Sequence, residues 1–188
     1  MITAAALKER RSAARHRDDP DFTEAERLKA HLARARDKRV PLYLSRAEFL
    51  DICRWKLRDR YGRTAHLLES NSPKRIKRTT QMAFGFKDKE AEFELAGRVT
   101  ILGLLPGVGI GVASAILALC YPKRHAPIDA RVWRALFDEE RSVFELADYR
   151  RYLARLSELA AEVRALDPKG GWSVQLVAYY AWGDDTPR

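Results

Sequence analysis

Residues 105–111 read LPGVGIG, three glycines and a proline in seven residues, set between the apolar runs RVTILGL (98–104) and VASAILALCYP (112–122). That composition makes a tight turn between two helices, not a flexible linker. A helix, a glycine-rich hairpin and a second helix present backbone N–H groups at a helix N-terminus, where the amides and the dipole attract phosphate. Without side chains in the way, a nucleic-acid backbone can come close and be gripped without its sequence being read. The same residues would also serve as a plain helix–helix turn in a bundle. Downstream, Asp129 is the only acid close after the hairpin helix, and it stands behind the stiff Ala126-Pro127-Ile128. Its side chain is placed to cap the short helix ARVWRALF. A cap would also hold the carboxylate still.

The elements that must position these groups read as helices throughout, because no stretch sustains period-two alternation with β-branched residues. Residues 1–20 are Ala/Arg-rich and weakly patterned, closing at Asp19-Pro20. Thr23 and Glu26 have capping-box spacing, followed by Phe22, Ala25, Leu28, Leu32 and Ala35 at helical intervals. RDKRVP (36–41) reads as a linker, so residues 1–40 are expected to form a basic helical arm and residues 41–188 the main domain. Ser45 with Glu48 is a second capping box, opening a helix expected to run unbroken to Gly62. Ser72-Pro73 pairs an N-cap with proline at the first helical position and opens the basic helix PKRIKRTTQMAFG. KEAEFELAGRVTILGL leads into the hairpin. Tyr152, Leu153, Leu156, Leu159, Ala160 and Val163 mark one face of a long amphipathic helix, and WSVQLVAYYAW is apolar on most faces, as a buried last helix would be.

Composition narrows the class. At 46% hydrophobic and 32% charged, the 188-residue chain carries enough apolar residues for a sizeable core. No run of ~18 apolar residues is present, so no membrane span is expected. The start, MITAAALKERRSAARHRDD, is charged too early for a signal peptide. Cys53 and Cys120 are isolated, which fits a reduced, cytoplasmic setting. The net charge of +9 and a pI near 9.8 suit an anionic partner, of which nucleic acid is the usual one.

The stretch LPGVGIGVASAILALCYPKRHAPIDARVWRAL resembles the helix-hairpin-helix DNA glycosylases of the endonuclease III-like superfamily. That family carries an LPGVG hairpin, a helix, and a loop ending in an aspartate just before another helix. PIDARVWRAL is similar to the segment holding the family's catalytic aspartate, which falls on Asp129; Arg131 stands where a histidine is usual. GGWSVQLVAYY also looks like the closing helix of some 8-oxoguanine-type members.

The resemblance implies an all-α, two-lobed fold with the hairpin at a DNA-binding cleft. It implies a glycosylase that flips out a damaged or modified base of double-stranded DNA and hydrolyses its N-glycosidic bond. Such cleavage builds positive charge on the sugar, and a fixed carboxylate at Asp129 would stabilise that charge. Bifunctional members carry a lysine two residues after the last hairpin glycine. Gly111 holds that position here, so a monofunctional enzyme without lyase activity is expected. The family's cysteine set for an iron–sulfur cluster is absent, and a K+ or Na+ ion on the carbonyls of Gly103, Leu105 and Val108 is implied. Leu105, Pro106, Gly107, Val108, Gly109 and Gly111 are the hairpin candidates for DNA contact, and Lys74, Arg75, Lys77 and Arg78 the basic-helix candidates. A flipped base needs aromatic walls and polar groups for its edge, for which Trp55, Lys56, Trp133, Trp172, Tyr179 and Tyr180 are candidates. His125 could touch DNA or substrate, and Lys56, Lys123 or Lys169 could reach the sugar from another direction. A nucleoid-associated monomer is expected. The rival reading is a non-enzymatic helix-hairpin-helix DNA-binding protein in which Asp129 is only a cap. More remote is a basic helical partner-binding protein with no nucleic acid.

Overall fold

The structure, a computed structural model, describes residues 1–13 and 20–183. Among these it is all-α, with no strand. In chain order the helices are α1 (Ala4–Ala13), α2 (Pro20–Lys38), α3 (Arg46–Leu57), α4 (Tyr61–Glu69), α5 (Pro73–Gly85), α6 (Ala91–Leu102), α7 (Ile110–Cys120), α8 (Ala130–Phe137), α9 (Leu146–Leu166) and α10 (Val174–Trp182). No helix is long and apolar enough to cross a membrane among the described residues.

Local chemistry sets most of the starts. Ser45 accepts from the Glu48 N–H and Glu48 returns a bond to the Ser45 N–H at 2.7 Å, so the capping box opens α3 as its spacing indicates. Ser72 caps α5 through the Arg75 N–H with Pro73 in the first turn. Two expected boundaries differ. Thr23 lies inside α2, which begins at Pro20, where a proline costs no hydrogen bond; the Asp19 half of the expected break lies outside the described residues. The helix expected to reach Gly62 stops at Leu57. There Arg58 takes φ 49°, a 3-10 turn follows over Arg58–Arg60, and α4 starts afresh. An arginine in left-handed backbone is costly and must be held by its surroundings. Here an ion pair to Asp21 at 2.7 Å and the face of Trp182 at 5.3 Å engage its guanidinium.

α7 is the central rod. Every residue from Val112 to Cys120 is buried, so it has no solvent face to mark its orientation. Around it the helices pack in two groups. α2 lies on α3 and α7, α3 also contacts α5 and α7, and α5 packs along α6. In the other group α9 carries α1, α8 and α10, and α1 and α8 both touch α10. Contacts of α9 with α6 and α7 join them. Replacing the fully buried Ile116 with alanine would cost about 2–5 kcal/mol.

The N-terminal residues are not an arm. Ala4 and Leu7 of α1 are buried where it packs on α9 and α10, Ile2 is buried with its N–H on the Ala135 carbonyl of α8, and Ala25, Leu28 and Leu32 join the same apolar cluster as the rest of the chain. Two of its basic residues help to dock it, Arg10 on the Tyr180 carbonyl at 3.1 Å and Arg11 on the Gly170 carbonyl and the Trp172 ring, while the sparse apolar ones have the spacing to pack.

Candidate functional site

α2, α3, α8 and α10 enclose a cavity of about 520 Å³. Pockets of roughly 300–1,000 Å³ are the size that holds small organic ligands. Its aromatic walls are Phe22, Trp55, Tyr179 and Trp182, with Phe22 and Tyr179 rings 4.4 Å apart between centroids. Its polar groups include Lys56, Asp129, Arg131 and Gln175. Gln175 is 8% exposed, and its Oε1 is buried without a hydrogen-bond partner.

Asp129 sits on this cavity at the start of α8. Its Oδ1 accepts the Arg131 N–H at 2.9 Å, so it is the N-cap. Its Oδ2 lies 3.8 Å from Lys56 Nζ. The segment leading into it is suspended by side chains from three helices. Tyr149 and Tyr152 of α9 donate their hydroxyls to the carbonyls of Ala126 and Pro127, at 3.2 and 2.9 Å. Lys56 of α3 donates to the Ile128 carbonyl at 2.6 Å. Ser114 of α7 accepts the Ile128 N–H at 3.0 Å and donates to the Gly111 carbonyl at 2.8 Å. Three carbonyls and one amide are thereby fixed, and the carboxylate inherits that rigidity. Burial forces this satisfaction, because backbone polar groups left bare beside α7 would each cost about 1–3 kcal/mol.

Lys56 is the second charged group here. Its side chain is 11% exposed. Burial pulls its ammonium below the usual lysine range; Asp129 opposes that shift, and Arg60 and Arg58 reinforce it.

The hairpin is clamped rather than loose. Asn71 donates its amide to the carbonyls of Leu67, Leu68 and Pro106. Arg75 reaches the Leu104 carbonyl at 2.8 Å. Leu105 and Val108 are buried, and the Leu105 carbonyl, one of those expected to face a cation, accepts the Val108 N–H at 3.0 Å. Gly107 has φ +83°, and a Cβ there would lie 3.0 Å from the Leu68 side chain, so its smallness serves the packing onto α4. Gly109 has nothing within 4 Å of a Cβ position, so only there is the open approach read from the sequence literal. It precedes α7 with no side-chain cap.

The remaining candidates separate. Trp55 and Tyr179 line the cavity, as does Lys56. Trp133 does not: it is fully buried among Phe137 and Phe144, with Arg141 and Arg151 over its ring. Trp172 is buried too, donating to Asp167 at 2.9 Å and packing on Tyr180, whose ring is likewise buried. Both tryptophans are core: Trp133 is on the inward face of α8, and Trp172 is folded in from the segment between α9 and α10. His125 lies away from the cavity beside Tyr121, and burial, then Arg98 and Arg124, push it down to about 4. Lys74, Arg75, Lys77 and Arg78 are exposed on α5, with Arg75 tied to the hairpin and Lys77 over the Tyr43 ring at 4.5 Å. Sequence reasoning missed Phe22, Gln175 and Trp182. Phe22 was read as an ordinary helix-face residue, and the other two were hidden in an apolar run. Among the described residues no cluster of three or more His, Cys, Asp or Glu could hold a metal ion.

Comparison with protein-family models, with curated proteins and with solved structures gave no match.

Proposed function

We propose that this chain is a DNA glycosylase of the helix-hairpin-helix kind, its two helix groups acting as lobes and the cavity between α2, α3, α8 and α10 receiving a base flipped out of double-stranded DNA. The observation that carries this reading is the suspended Asp129. A carboxylate held by its cap and by the fixed segment 126–128, at the rim of an aromatic-walled cavity and tied through Ser114 to the hairpin helix, is what stabilising a developing sugar cation requires. The hairpin and the exposed cations of α5, bridged by Arg75, are suited to holding the phosphate backbone. Phe22, Trp55, Tyr179 and Trp182 can stack on the base, with Gln175 on the same cavity wall.

The test is incubation with a panel of duplexes carrying alkylated, oxidised, mismatched and hypermodified bases, with mass spectrometry of what is released. Release of one base by the parent protein, lost in Asp129→Asn, is expected. Binding to every duplex with no base released from any would favour the non-enzymatic helix-hairpin-helix protein.

A further inference from the structure

Lys56 of α3 passes beside the glycine at position 111. A Cβ built on Gly111 would lie 3.8 Å from Lys56 Cε, an ordinary van der Waals contact, so α3 brings its amine up against the start of α7. That amine ends 2.6 Å from the Ile128 carbonyl and 3.8 Å from the Asp129 carboxylate, on the wall of the cavity. A neutral donor could hold the Ile128 carbonyl as well. Placing a lysine there, with its side chain 11% exposed, carries a desolvation cost that a hydrogen bond alone does not require.

We propose that Lys56 is the amine nucleophile of this site and makes the enzyme an abasic-site lyase as well as a glycosylase. This rests on the glycosylase reading, which brings deoxyribose C1′ beside Asp129. Burial, with Arg58 and Arg60 close by, favours the neutral amine the step needs. The proton leaves Lys56 for Asp129. Nζ then adds to the C1′ carbonyl of the open-chain abasic sugar, forming a C–N bond as the C=O π bond breaks and the oxygen takes that proton back from Asp129, which restores the carboxylate. Loss of water gives the iminium. C2′ gives up a proton to the carboxylate, the C2′–C3′ double bond forms, and the 3′-phosphate departs with its bonding electrons. Water hydrolyses the iminium, returning the lysine amine and leaving an unsaturated aldehyde on the nicked strand. No oxidant or reductant enters. The expectation of hydrolysis alone followed from Gly111 by itself, and α3 supplies from another helix what α7 lacks.

The experiment uses the full chain and a duplex with a single deoxyribose abasic site, with and without sodium borohydride, which reduces an iminium to a stable amine. The parent protein should nick the strand without alkali and give a covalent complex whose tryptic adduct maps to Lys56. Lys56→Arg keeps a cation and a donor to Ile128 but cannot form this imine, and should drop both nicking and trapping to the no-enzyme level. Mapping on the parent protein stands even if the variant folds poorly. No trapped complex, or an adduct on any other amine, overturns the proposal. The base-release panel, run in parallel, separates the two readings. Released base with no trap removes the lyase and leaves the glycosylase, whereas a trap at Lys56 with no base released from any duplex keeps the lyase and removes the glycosylase.

Discussion

At the scale of single residues, one substitution can divide the cap that Asp129 provides from the catalytic role proposed for it. Asp129→Asn keeps an oxygen to accept the Arg131 N–H, so the cap of α8 and most of the stability should survive. The charge is lost, and single-turnover base release should fall by about 10²–10⁴-fold while duplex affinity stays near the parent's. Near-parental release would remove Asp129 from the chemistry. Tyr152→Phe probes the suspension behind it. Deleting the hydroxyl frees the Pro127 carbonyl in a buried setting, with an expected loss of about 1–3 kcal/mol in denaturant unfolding. If rigidity of residues 126–128 matters to Asp129, base release falls as well with KM little changed; unchanged turnover would show that the segment tolerates slack.

At the scale of elements, the hairpin glycines are unequal. Gly109 faces open space, so Gly109→Phe should leave thermal stability almost unaltered and weaken duplex binding by obstructing the backbone's approach. Gly107 combines a positive φ with contact against Leu68, so Gly107→Phe should lower stability before it says anything about DNA. Measured together by thermal melting and duplex titration, the two variants separate folding from contact; unchanged affinity in a folded Gly109→Phe would take the hairpin out of the interface. The break after α3 matters in the same way. Had the chain continued helical past Leu57, Arg58 could not pair with Asp21 and lie over Trp182, and the cavity wall beside Lys56 would be built differently. The sequence shows no glycine or proline at that break. Nothing local signals it, and the tertiary partners of Arg58 decide it.

At the scale of the whole molecule, the +9 charge predicts duplex binding that weakens steeply with salt and depends little on sequence. Replacing Lys74 and Arg78 with glutamine should reduce the slope of log affinity against log salt by about one for each phosphate no longer neutralised. An unchanged slope would move the phosphate track off α5. Acid stability should be set by two buried groups. Burial pushes the Glu48 carboxyl up, but Arg39, the Ser45 amide and hydroxyl, and His31 outweigh it and bring it down to about 2. Because that value lies below the ordinary 4.5, its contribution is complete above about pH 4.5 and lost as the pH falls towards 2. His125, held down at about 4 against an ordinary 6.5, is neutral when folded. Unfolded chains bind its proton first, so stability already declines as the pH drops from 6.5 towards 4. Urea unfolding across pH 7 to 3 should show both stages, with the upper one absent in His125→Gln; a flat profile above pH 4.5 would contradict the buried neutral histidine.

The all-helical class, the capping box at Ser45, the N-cap at Ser72, the buried face of α9 and the cap at Asp129 were legible in the sequence. Each depends on neighbours within a turn or two of helix, and local spacing encodes them. Legible too was the tight hairpin, since a residue with φ +83° packed on Leu68 calls for glycine. What the sequence left open required distant segments to meet. Trp55 lines the cavity and Trp133 fills the core, yet both are tryptophans on amphipathic helices, and only the packing of α8 against α9 and α10 tells them apart. The same holds for the docking of residues 1–13, for Gln175 and for Lys56. The amine of Lys56 and the Ile128 carbonyl come from residues 72 positions apart. No periodicity spans such a distance. Burial of α7 on every side draws α3 and the loop before α8 onto the same helix, and that packing sets the amine beside the carboxylate.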